Sequence, residues 1–192
     1  MIRGNLRYQV CNRCIMDTTA SEIVFDNNGN CNFCNDFKKL NFKEEDKKKK
    51  LDQLISKIRL SQKNKDYNCI VGLSGGVDSC YVLVRALELG LKPLAVHMDN
   101  GWNSELAQNN ISNLVKSLNV DLYTHVINWE EYKNLQKAFF KANVVDIELL
   151  YDNAMMAANY QIADKFNVKY ILSGMNTSTE GFKIPNEWSW FK

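Results

Sequence analysis

The sequence predicts an α/β fold: a Rossmann-like parallel sheet with helices on both faces, preceded by a small cysteine-rich module. Three observations carry this. From residue 67 onward, short apolar runs alternate with helical patterns of about 10–15 residues, the signature of βαβ units. The first run ends in a glycine-rich turn, SGGVDS at 74–79, that opens an amphipathic stretch. Ahead of both lie two CxxC pairs, Cys11 with Cys14 and Cys31 with Cys34.

Composition bounds the rest. A chain of 192 residues suits one domain with a small appendage. With 45% hydrophobic and 24% charged residues it is ordinary for a globular protein, which excludes disorder, collagen and coiled coil as descriptions of the whole. The 24 basic and 22 acidic residues leave a formal charge of +2, so there is no general electrostatic footprint for nucleic acid. No apolar run approaches the ~18–20 residues that span a bilayer. The opening MIRGNLRYQVCNRC lacks the apolar core of a secretory signal, so a cytoplasmic protein without membrane association is expected.

Residues 1–40 read as a zinc-ribbon-like module. Six cysteines in a chain this long, without an export signal, weigh against a disulfide scaffold. Cys11, Cys14, Cys31 and Cys34 match the C-x2-C-x15–20-C-x2-C spacing of a zinc site. Each CxxC turn brings two thiolates to one ion, and two turns complete a tetrahedron without an open position, which suits structural rather than catalytic metal. So small a segment cannot build a large core, and metal would supply much of its folding energy. An iron–sulfur cluster or a redox pair is the alternative.

Residues 41–64 read as a charged linker helix. A lysine run ends at Lys50, and Leu51, Leu54, Ile55 and Ile58 follow at helical spacing. The lysines read as a solvated face, with a phosphate-binding patch as the alternative.

Residues 65–192 form the main domain. Strands are expected at 68–73, 93–98, 122–127 and 168–172, and helices at 78–89, 104–118, 130–142 and 152–166, with Gly90 stopping the first helix. Parallel sheets bind ligands beyond the carboxyl ends of their strands. The turns at 74–79, 99–103 and 173–180 are therefore the places for chemistry.

The glycine turn is the sharpest signal. Ser74, Gly75 and Gly76 would present backbone N–H groups without side-chain obstruction, and the helix behind them adds free donors and partial positive charge. Together these make an anion cradle, and the hydroxyls of Ser74 and Ser79 can add bonds to phosphate oxygens. Asp78 fits a helix cap or a magnesium contact better than a phosphate contact. The turn is neither GxxxxGK[ST] nor GxGxxG.

Other polar residues carry weaker expectations. Asp99 ends the second strand and is placed to touch nucleotide or magnesium. His97 and His125, within apolar strands, read as packed core histidines. Asp146, Glu148 and Asp152 precede a helix, where acids are favoured by the dipole alone. Gly174, Asn176 and Glu180 follow the fourth strand and are candidates for substrate contact. Cys69 and Cys80 read as small core residues, with a sulfur-handling role open for Cys80.

Strand, SGGVDS and helix together resemble the PP-loop of ATP pyrophosphatases, in the adenine nucleotide alpha-hydrolase-like superfamily. The resemblance implies ATP held at Ser74, Gly75, Gly76, Val77, Asp78 and Ser79, with magnesium, and adenosine near residues 96–99. It gives Asp78 and Ser79 the catalytic positions.

Adding CNRCIMDTTASEIVFDNNGNCNFC, HMDNGW and SGMNTSTEG, the chain is similar to the N-acetyl sugar amidotransferase family, although Leu149-Leu150 stands where that pattern has Pro-Thr. This likeness implies an acetamido group on a nucleotide-linked sugar converted to an acetamidino group, in bacterial surface-polysaccharide or nonulosonate synthesis. It also implies ammonia supplied by a glutaminase and a cyclase-like partner. Such domains usually have five strands and a longer chain, so a shortened C-terminal part is expected, with the crowded Trp188, Trp190 and Phe191 at its end. Two other readings remain: a PP-loop tRNA sulfurtransferase, and a non-catalytic zinc protein that binds nucleotide.

Overall fold

The computed structural model describes residues 7–39, 44–175 and 183–188. The chain divides into two compact units, one of Lys49–Met175 and one of Met1–Lys48 with Asn176–Lys192.

In the larger unit four strands, β1 (Cys69–Gly72), β2 (Pro93–Asp99), β3 (Leu122–Val126) and β4 (Ile171–Leu172), form one sheet in the order β3-β2-β1-β4. All pairings are parallel. The α/β expectation is met. Alternation along β1 sorts the core. Cys69 and Val71 face one side with Ala95, while Ile70 faces the other with Leu94 and Val96. The first face is covered by α2 (Glu44–Ser61), α3 (Val77–Glu88) and α4 (Glu105–Leu118), through Ile55, Ile58, Leu83, Ala86 and Ile111. The second is covered by α6 (Leu149–Lys165), through Ile162 and Ala163.

Local chemistry sets the boundaries. Ser104 caps α4 by accepting a bond from the Ala107 amide at 3.2 Å, and Asn128 caps α5 (Trp129–Lys141) through the Glu131 amide at 3.3 Å. Gly90 ends α3, as expected from its position after the last apolar residue, with its N–H on the Leu87 carbonyl at 2.8 Å. Helix α6 starts at Leu149, ahead of the expected 152, so Asp152 lies in its first turn. Strand β4 holds only two residues, although the Ile70 amide already bonds the Tyr170 carbonyl at 2.8 Å.

The helix expected as a linker is more than that. Leu51 and Leu54 are exposed, but Ile58 is fully buried and Ile55 nearly so, both in the core of the first face. Among the described residues no helix is long and apolar enough to cross a membrane.

The smaller unit packs around its cysteines. Cys11, Cys31 and Cys34 are buried with Met16 and Phe33, and Trp188 lies against them. Two isolated antiparallel bridges, Val10 with Asp17 and Phe25 with Cys31, order the two CxxC turns. A helix that the sequence reading did not foresee, α1 (Asn32–Lys39), begins inside the second CxxC. Glu187 accepts a bond from the Ser21 amide at 2.5 Å, and the Asn186 amide donates to Glu22 at 3.2 Å.

Candidate functional site

The strand order 3-2-1-4 puts the topological switch between β1 and β4, where ligands bind in open α/β sheets. The glycine turn leaves the carboxyl end of β1 at that switch. Ser74, Gly76, Val77 and Asp78 are exposed, while Gly75 and Ser79 are buried. Gly75 takes φ of +81°, and a β-carbon on it would sit 2.5 Å from the Ala107 carbonyl oxygen of α4. Only glycine fits there. Its own carbonyl accepts a bond from Asn110 Nδ2 at 3.1 Å, which ties the turn to α4 a second time.

Ser79 braces the turn from inside. Its Oγ accepts the Ser74 amide at 3.2 Å, donates to the Gly76 carbonyl at 3.1 Å and lies 3.1 Å from Ser74 Oγ. The first-turn amides of α3 have no intrahelical acceptors and emerge from this brace at an exposed surface, an arrangement suited to an anion. One expectation is corrected here. Asp78 is not the cap of α3: the N-cap is Gly76, without a side-chain bond, because the helix begins one residue before Asp78. The Asp78 carboxylate is thus left exposed in the first turn.

Two neighbouring turns converge on the same edge. Gly174, after β4, lies so close that a β-carbon on it would stand 3.0 Å from the Asp78 carbonyl carbon and the Ser79 amide nitrogen. Asn176 and Glu180 lie outside the described residues. At the end of β2, Asp99 Oδ1 accepts the Gly101 amide at 2.9 Å and Asn103 Nδ2 at 3.1 Å. His97 is buried, as expected, yet it also links these parts. Its Nδ1 is 2.9 Å from the Leu73 carbonyl, just before the turn, and its Nε2 is 3.2 Å from Asn103 Nδ2. His125 is partly buried on the edge strand β3, away from this network.

Sequence reasoning missed a cavity of about 390 Å³ beyond the end of β2. Asn100, Trp102 and Asn103 line one side, α5 contributes Tyr132 and Gln136, and the approach to α6 contributes Glu148. The only advance signal was the Asn100-Gly101-Trp102 turn; the α5 residues read simply as a helix face. Of the acidic group, Glu148 reaches this cavity and Asp146 and Asp152 do not line it.

The thiols outside the cysteine module are held protonated. Burial pushes the Cys69 thiol up to about 12. Burial also raises Cys80, partly offset by its bond to Ser79. Both behave as the core residues expected.

The four remaining cysteines converge, their Sγ atoms all within 4.8 Å of one another. Cys11 and Cys34 sulfurs are 3.8 Å apart and Cys14 and Cys31 sulfurs 3.7 Å. A tetrahedron with metal–sulfur bonds of about 2.3 Å has edges of about 3.8 Å, so the spacing suits one four-coordinate ion. It is far too long for disulfides, which need about 2.05 Å. Backbone amides of Arg13 and Cys31 point at Cys11 Sγ, at 3.4 and 3.2 Å, and stabilise thiolate there. Burial acts the other way at Cys11, but these bonds, together with those from the Cys14 amide and thiol, outweigh it and bring the thiol down to about 6. Cys31 and Cys34 are raised, chiefly by burial.

A family model described as NAD synthase matches residues 48–181. The chain belongs to the NAD synthase family. Its members have the PP-loop, adenine nucleotide alpha-hydrolase-like fold, in line with the reading of SGGVDS. The NAD synthase match starts after the four cysteines and carries no statement about a sugar. No curated protein matches the chain. Among solved structures, a glutamine-dependent NAD+ synthetase from Acinetobacter baumannii in complex with ADP is 20% identical, with a TM-score of 0.53, over 65% of this chain and 25% of that one. An NH3-dependent NAD synthetase from Campylobacter jejuni is 20% identical, with a TM-score of 0.50, over 68% and 57%. An NMN synthetase from Francisella tularensis is 21% identical, with a TM-score of 0.48, over 68% and 54%. The chain thus spans about a quarter to just over half the length of these structures.

Proposed function

We propose that the chain is an ATP-dependent amidotransferase that converts the acetamido group of a nucleotide-linked N-acetyl sugar to an acetamidino group. The observation that carries its ATP-dependent part is the braced turn at 74–79; the acetamido sugar rests on the likeness of the cysteine module, HMDNGW and SGMNTSTEG. Within a family built around this fold, exposed first-turn amides and two fixed glycine contacts suit the triphosphate of ATP, and the exposed Asp78 carboxylate suits the accompanying magnesium.

The chemistry balances. An amide oxygen is a poor leaving group. It attacks the α-phosphorus of ATP, the bond to pyrophosphate breaks, and an O-adenylyl imidate forms. Ammonia adds to the imidate carbon, and AMP leaves with the former amide oxygen. An amidinium results. The protein needs to align these groups and offset phosphate charge, and requires no serine or cysteine nucleophile. The protonated Cys69 and Cys80 fit this better than sulfur transfer, which needs an accessible thiolate. Ammonia would come from a glutaminase through a cyclase-like partner, in the cytoplasm. The four cysteines would hold a structural zinc ion, on the tetrahedral spacing of their sulfurs; Cys31→Ser is expected to lose it, read by metal analysis.

The test is direct. The chain is incubated with ATP, magnesium, ammonium and a panel of nucleotide-linked N-acetyl sugars, and AMP and a sugar amidine are sought by mass. Asp78→Ala should abolish AMP formation and leave the fold intact. AMP formed with carboxylate acceptors alone, or tRNA-dependent pyrophosphate release, would replace this reading.

A further inference from the structure

We infer that the cavity between α5, the approach to α6 and the turn at 100–103 receives the pyranose ring of the acceptor, seated against Trp102. This rests on the amidotransferase reading and assigns its acceptor a place.

The walls set the ligand class. Trp102 is held edge-to-face against Trp129, with centroids 5.0 Å apart, and against Tyr132 at 5.5 Å. It is nevertheless 56% exposed, so a defined aromatic surface stands open to a ligand. Aromatic faces carry negative charge and attract the polarised C–H groups on one side of a sugar ring.

Polar groups are few and fixed. Asn100 is buried, and its Oδ1 accepts the Trp102 amide at 2.9 Å, which leaves its Nδ2 to donate. Gln136 is buried and anchored by its Nε2 on the Ile147 carbonyl at 3.1 Å. Glu148 offers a carboxylate that can accept from neighbouring hydroxyls. Tyr132 and Tyr151 also line the cavity, and burial first, then the Glu148 charge at Tyr132 and the Asp152 charge at Tyr151, keeps their hydroxyls protonated as donors.

Charge excludes anionic groups from the cavity. Among the described residues no lysine or arginine lines the cavity, and its one acidic side chain is Glu148. A phosphate or carboxylate would meet repulsion without compensation. A neutral, hydroxylated ring fits, and its diphosphate must lie outside. The cavity is also wired to the glycine turn. Asn103, on its wall, bonds both Asp99 and His97, and His97 bonds the Leu73 carbonyl before Ser74. The volume lies in the ordinary range for small-molecule sites, about 300–1,000 Å³.

The experiment is saturation-transfer NMR on the whole chain with UDP-N-acetylglucosamine, beside calorimetry with ATP and magnesium. Wild type should saturate pyranose and acetamido-methyl protons more strongly than uracil protons. Trp102→Ala and Glu148→Gln should each weaken sugar binding about tenfold, with ATP affinity unchanged, and Trp102→Phe should restore most of it. Both side chains are exposed, so folding is not at stake. Sugar binding unaltered by both variants would overturn this placement and leave the amidotransferase reading standing. ATP weakened as much as sugar by Trp102→Ala would give the cavity to the nucleotide and likewise overturn it. ATP binding with no sugar binding in the wild type would overturn placement and reading together.

Discussion

The imidazole of His97 bonds the carbonyl of Leu73 at 2.9 Å, joining the strand that leads into the glycine turn to the strand that ends at Asp99. A carbonyl only accepts, so Nδ1 carries the proton and Nε2 accepts from Asn103. Both ring nitrogens are satisfied, and the carboxyl ends of β1 and β2 are held in register. His97→Ala leaves the Leu73 carbonyl without this donor in a buried setting, which costs about 1–3 kcal/mol. The expected outcome is a lower unfolding midpoint in denaturant together with weaker ATP binding. Stability lost with ATP affinity intact would mean that the bond serves the core alone.

Gly75 is where the turn tolerates least. A side chain there meets both the left-handed backbone and the Ala107 carbonyl. The backbone conformation alone costs about 1–3 kcal/mol for alanine, and the clash adds to it. Gly75→Ala should remove detectable ATP binding in calorimetry. Gly76 has a negative φ, and a β-carbon there would meet only Ser74 Oγ, at 3.4 Å. Gly76→Ala should therefore bind ATP far better than Gly75→Ala, and the reverse order would contradict the geometry.

The sheet and its turns at 74–79 and 99–103 were legible because period and punctuation agreed: β1 is closed by the turn at Gly75, α3 by Gly90 and β2 by Asn100-Gly101, each at an element boundary. The glycine turn was legible for the same reason. What stayed hidden depends on pairings distant in sequence. Nothing in the spacing of Asp78 says that a residue before it would cap the helix, or that Gly174 would press against it. Tyr132 and Gln136 become cavity walls only when α5 meets the turn at 100–103. The charged start of α2 concealed its role, since Ile55 and Ile58 enter the core through one narrow stripe.

That stripe gives a prediction about α2. Ile58 is fully buried against the first face of the sheet. Truncation of such a side chain costs about 2–5 kcal/mol. Ile58→Ala should lower the unfolding midpoint accordingly, whereas Leu54→Ala, at an exposed position, should shift it by less than about 1 kcal/mol. Equal effects would return α2 to the status of a tether.

Gly174 tests the contact between the β4 turn and the start of α3, the edge proposed for ATP. Alanine there would approach the Asp78 backbone at 3.0 Å, so α3 or the turn must yield by a few tenths of an ångström. The main-chain amides proposed to face ATP shift with it. Gly174→Ala should weaken ATP binding about tenfold at nearly unchanged stability, and Gly174→Val should weaken it further. Calorimetry with ATP and magnesium reads both, and affinity equal to wild type in the valine variant would remove Gly174 from the site.

The last prediction concerns the turn that feeds the second CxxC. Asp26 accepts Asn35 Nδ2 at 3.0 Å on one oxygen and the amides of Asn28 and Asn30, each at 2.9 Å, on the other. These bonds favour the ionised form. The Asn35 bond, then the Asn30 amide, hold the carboxyl below its usual value. A depressed folded pKa means that Asp26 supports the folded module above the unfolded value near ~3.9, and that this support is lost as pH falls through the lower folded value. A carboxyl-carbon NMR titration should therefore find Asp26 titrating below the ordinary aspartate value. Asn35→Ala should move it back up, because it removes the largest of the stabilising bonds. An Asp26 that titrates with the exposed carboxylates, or fails to rise in the variant, would show that the clamp does not persist in solution.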